Sequence, residues 1–73
     1  MLIHLRPTDP LMTRSLAFFL SRHECRAEVG ENGTVIVELP HKIHERQARL
    51  ELELYTRLWQ ALKGVSVRVD LVD

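Results

Sequence analysis

Residues 25–39 read Cys25-Arg26-Ala27-Glu28-Val29-Gly30-Glu31-Asn32-Gly33-Thr34-Val35-Ile36-Val37-Glu38-Leu39, and the way this stretch folds back on itself decides the architecture of the chain. Cys25, Ala27 and Val29 alternate with Arg26 and Glu28, and Val35, Val37 and Leu39 alternate with Thr34, Ile36 and Glu38. A period of two marks strands with one buried face, so the stretch reads as a hairpin. A two-residue Asn32-Gly33 turn would set Val29 against Ile36 and Glu28 against Val37, mixing the faces. A loop of Glu31, Asn32 and Gly33, with Gly33 left-handed, instead sets Val29 against Val35 and Ala27 against Val37. The hydrophobic pattern selects the longer loop.

On both sides of the hairpin the period changes to that of a helix and back to two. Upstream, Met1 to Arg6 reads as a strand with Ile3 and Leu5 facing one way and Leu2, His4 and Arg6 the other, ended by Pro7. Asp9 before Pro10 is a good helix start, because the carboxylate accepts a first-turn N–H and proline at that point loses no needed bond. The helix should run to about His23, with Met12, Leu16, Phe19 and Leu20 on one stripe. Leu11 and Phe18 fall to one side of it, so Phe18 is not an obvious core residue. Downstream, a second helix should begin near His41 or Lys42, after Pro40, and end at Gly64, with Lys63 in its last turn. Val65, Val67, Val69 and Leu71 then form one face of a final strand, with Ser66, Arg68 and Asp70 on the other.

The expectation is an α+β fold of βαββαβ order: one domain over residues 1–73, a four-stranded antiparallel sheet in order 4-1-3-2, and both helices on its apolar face. This arrangement resembles the ferredoxin-like superfold over essentially the full chain. A superfold that hosts many activities implies none of them. The stretch ARLELELYTRLWQALKG, residues 48–64, resembles small bacterial proteins without an assigned activity, and no cofactor comes with either resemblance.

Composition narrows the function further. Ten basic residues balance ten acidic ones, which removes the electrostatic footprint of a nucleic-acid binder. No apolar run approaches the roughly 20 residues needed to span a bilayer, and the N-terminal MLIHLRP resembles no targeting segment. A cytoplasmic protein without membrane contact is expected. Cys25 is the single cysteine, so an internal disulfide and a cysteine-rich zinc module are ruled out. A chain of 73 residues buries a modest core, which leaves packing and association as sources of stability.

Several constellations of side chains bear on chemistry. RNA-recognition modules of this topology stack bases on aromatics of the open sheet face. Here that face should carry Leu2, His4, Arg6, Arg26, Glu28, Thr34, Ile36, Glu38, Arg68 and Asp70, with no Phe, Tyr or Trp. Acylphosphatases share the topology and use an arginine with a glycine-rich cradle after the first strand. Arg6 stands near that point, but Pro7-Thr8-Asp9-Pro10 follows it, so an acylphosphatase-like hydrolase is the third reading. His23, Cys25, His41 and His44 come from element ends that this topology gathers at one end of the molecule. They are weak candidates for a zinc-like or small-ligand site, against the plainer reading that polar residues collect at element ends.

The strongest signal lies on the second helix, whose apolar residues cover about 200° of arc where about 100° suffices to cover a core. One stripe holds Ile43, Leu50, Leu54, Leu58 and Ala61; the other holds Ala48, Leu52, Tyr55, Trp59 and Leu62, with the four-and-three spacing of a heptad seam. Glu45, Arg49, Glu53 and Arg57 form the solvated side, and His44 and Glu51 interrupt the arc. Two readings stand: one stripe packs on the sheet and the other on the first helix, or Leu52, Tyr55, Trp59 and Leu62, joined by Phe18, form an interface. The leading expectation is therefore a non-enzymatic interaction domain, homodimeric or bound to a protein partner through this helix or through sheet edges, with the histidine end as the alternative.

Overall fold

The hairpin forms in the longer-loop register, with Val29 opposite Val35 and Ala27 opposite Val37. Asn32 and Gly33 both take left-handed backbone angles, φ 55° and 71°, where a left-handed Gly33 alone was expected. Asparagine tolerates this region better than most residues. Gly33 has a second constraint, since a Cβ there would stand 3.2 Å from Cβ of Pro10. The Thr13 hydroxyl donates between the carbonyls of Pro10, at 2.8 Å, and Gly33, at 3.2 Å, so the loop is tied to the start of the first helix.

The computed structural model describes residues 2–23, 25–38 and 45–72. In chain order the elements are β1 (Leu2–Pro7), a 3₁₀ turn (Pro10–Met12) that leads into α1 (Thr13–Arg22), β2 (Arg26–Val29), β3 (Val35–Glu38), α2 (Glu45–Lys63) and β4 (Val67–Val72). The expected start of the second helix at His41 or Lys42, the strand residue Leu39, and Met1, Pro40, Ile43 and His44 lie outside the described residues. So do the side chains of Glu45, Leu71 and Val72.

The fold is α+β, with a four-stranded antiparallel sheet and two helices. The sheet order is β2-β3-β1-β4, which counted from the β4 edge reads 4-1-3-2. Ile3, Leu5, Val35 and Val37 from its inner face join Leu16, Ala17, Leu20, Leu52 and Trp59 from the helices in one buried cluster. Each fully buried aliphatic side chain of this kind contributes about 1.5–3 kcal/mol by leaving water.

Element boundaries shifted where a local bond overrode the pattern. Pro7 belongs to β1, paired with Val67 and buried; the β1–β3 ladder ends at Leu5 opposite Val35, so no β3 partner needs the missing N–H. β4 starts at Val67, two residues later than the alternation suggested, because the Val67 N–H donates to the Gln60 side-chain carbonyl at 2.6 Å. Gly64, at φ 66°, donates to the Gln60 backbone carbonyl at 2.8 Å, the expected left-handed cap. Asp9 caps as anticipated, accepting from the Leu11 N–H at 3.0 Å. The inner stripe of α1 is Thr13, Leu16, Ala17 and Leu20, with Met12 and Phe19 half-buried beside it.

Candidate functional site

The two apolar stripes of α2 have opposite fates. Leu52 and Trp59 are buried, at 3% and 0% exposure, and Trp59 Nε1 donates a long bond, 3.4 Å, to Ser15 Oγ on α1. Thr56 between them returns its hydroxyl to the Leu52 carbonyl at 2.7 Å, so its burial leaves no polar atom unpartnered. Ala48 and Tyr55 are half-buried against the same core. One stripe thus serves both the sheet and α1.

The other stripe faces away. Leu50, Leu54 and Leu58 are 58%, 63% and 46% exposed, and Leu62, the last residue of the first stripe, is exposed with them at 65%. At about 100° per residue, Leu50, Leu54 and Leu58 point some 100–180° from the directions of Leu52 and Trp59. The expected interface set therefore divides. Leu52 and Trp59 lie inside the monomer's own core, Tyr55 is half-buried, and Phe18, 66% exposed, and Leu62 lie on the surface. Leu50, Leu54 and Leu58 take the exposed role. The helix-side polar set changes as well: Arg49 is half-buried, and with Glu53 it edges an apolar cavity of about 160 Å³ floored by Ile3, Leu5 and Val69. Val69 is itself half-exposed, so α2 leaves part of β4 uncovered. Among the described residues the one ion pair is Arg68–Asp70, at 3.5 Å, so no ion pair links Arg49, Glu53 and Arg57 along α2.

At the histidine end, the His23 ring is stacked on Tyr55, with centroids 4.5 Å apart, and tilted against Phe19 at 4.7 Å. This three-ring contact locks the end of α1 to the middle of α2. Cys25 is half-buried, and its thiol lies 3.8 Å from the His23 carbonyl oxygen. Burial, and then the negative charge of Glu51, push the Cys25 pKa up. Metal binding and nucleophilic attack both require the thiolate, so these surroundings oppose both. His41 and His44 lie outside the described residues, and among the described residues no three His, Cys, Asp or Glu side chains gather as a metal site.

The open sheet face carries the expected side chains in rows fixed by strand pairing, except Thr34, which is buried in the loop before β3 with its hydroxyl donating to the Glu31 carbonyl. Arg26, Glu38 and Leu2 are neighbours in one row; Glu28, Ile36, His4 and Asp70 form the next; Arg6 then stands beside Arg68. Opposite charges adjoin in the first row, while the Arg6–Arg68 pairing sets like charges opposite each other, an arrangement that costs a few tenths of a kcal/mol and that Asp70, 3.5 Å from the Arg68 guanidinium, offsets. No helix among the described residues is long and apolar enough to cross a membrane. No family model, no curated protein and no solved structure matches the chain.

Proposed function

We propose that the chain is a non-enzymatic interaction domain that forms a homodimer through the outer face of α2. The observation that carries this reading is the line of Leu50, Leu54, Leu58 and Leu62, each four residues from the next and each close to or more than half exposed. Isolated surface leucines are ordinary, but a contiguous ridge on one helix is the kind of patch that marks an interface. A ridge of i, i+4 spacing fits between equivalent ridges of another helix, and a two-fold dimer presents the same ridge from both sides. The balanced net charge sets no long-range repulsion between copies. Association also suits a domain whose core is small.

The element order and the strand order support a ferredoxin-like reading of the fold, and the single half-buried thiol is compatible with a cytosolic setting. Light scattering over a micromolar concentration series tests the function. The expected mass is twice the 8.5 kDa of one chain; a single-chain mass throughout would overturn the proposal. The histidine-end alternative has its own assay, since excess zinc must raise the melting temperature of a protein that binds it only when folded.

A further inference from the structure

We infer that the two copies meet antiparallel about a two-fold axis near the middle of α2, with Glu53 of each copy against Arg57 of the partner subunit. This inference rests on the dimer reading and names its register. Successive leucines of an i, i+4 ridge drift by about 40° around the helix, so two such ridges cross at about 50° instead of lying side by side. Contact then concentrates at the crossing point. The midpoint of the Leu50–Leu62 ridge falls between Leu54 and Leu58, which fixes where the axis passes.

The rim of the ridge selects the direction. Glu53 and Arg57 are both exposed and lie on the same flank of α2, the one toward the Val69 side of the sheet that Glu53 helps to line. The other flank, toward α1, carries Glu51, close enough to Cys25 to act on its thiol. A two-fold axis perpendicular to both helices sets like flanks together, so Glu53 faces the flank that carries Arg57. With the axis level with Tyr55, Glu53 of one copy and Arg57 of the other stand at the same height; moved one residue, to Thr56, they are offset by about 3 Å. Symmetry supplies the pair twice. A parallel dimer would set the Glu53 flank against the Glu51 flank, and the Glu53–Arg57 pair would not form. Exposed pairs of this kind add little affinity and mainly decide which arrangement forms.

The test is charge exchange, read by sedimentation velocity at low salt, where surface charge is least screened. Glu53→Arg and Arg57→Glu each replace two attractive contacts by two repulsive ones, so each variant alone should shift to monomer at a concentration where the wild-type chain is dimeric. An equimolar mixture of the two should form a heterodimer, and the double variant E53R/R57E should dimerise again. Circular dichroism checks that each variant is folded. Single variants that dimerise like the wild-type chain, or a mixture that stays monomeric, overturn this register and leave the dimer itself standing. A monomeric wild-type chain overturns the dimer reading instead.

Discussion

The two faces of α2 are built from similar side chains and do different work. The inner face holds Leu52, Thr56 and Trp59 inside the core, while the outer face shows Leu50, Leu54 and Leu58 to solvent. The difference teaches that a helix lying over a sheet and beside a second helix needs one apolar arc for both neighbours. That arc is the one carrying the largest side chain. Trp59 spans from the sheet to Ser15 on α1, and Tyr55 reaches the α1 terminus through His23, so no second stripe is needed to hold α1. The leucine ridge is then surplus to the monomer, which is why it is the candidate for assembly.

The comparison can be broken first at the inner face. Trp59→Ala and Leu52→Ala should each destabilise the fold, by about 3–5 and 2–5 kcal/mol respectively, in chemical denaturation at one fixed protein concentration. A loss below about 1 kcal/mol at Trp59 would mean that this side chain is not in the core. Fixed concentration matters because the stability of a dimer depends on it. A smaller effect tests the link to α1: Ser15→Ala removes the long bond to the indole and should cost about 0.5–1 kcal/mol, at the lower end for hydrogen bonds. An unchanged midpoint would assign Trp59's contribution to packing alone.

The smallest effect is a pH slope at the α1–α2 end. Because burial and Glu51 raise the Cys25 pKa, the folded chain holds this proton more tightly than the unfolded chain does. Its contribution to stability is full below the ordinary thiol range and fades as pH rises through the folded value. Cys25→Ala should therefore lose less stability than the wild-type chain between neutral and alkaline pH. Parallel pH profiles of the two would place the thiol in an ordinary, solvated environment.

Much of this molecule was legible from local chemistry. The Val29–Val35 register follows from alternation on either side of a short loop, and the Asp9 and Gly64 caps follow from side chains that act within a few residues. What sequence pattern left open depended on long-range placement. Both stripes of α2 are equally apolar, and only the position of α1 and the sheet decides which is inside. The β4 start was decided by a bond that alternation does not register, from the Val67 N–H to the Gln60 side chain seven residues earlier. Of the histidine set, His23 proved to be stacked on Tyr55 and tilted against Phe19, a packing role that spacing alone does not reveal.

Leu54→Glu gives the most direct test of the claim that the outer ridge holds a second copy. The substitution lies on an exposed position near the proposed crossing point, where the change in monomer stability should stay within about 0.5 kcal/mol. Sedimentation velocity of the wild-type chain and L54E, side by side at the same micromolar concentration, should show a dimer for the first and a folded monomer for the second. If the wild-type chain sediments as a monomer, or L54E remains a dimer, the outer leucine face of α2 is not where this domain associates.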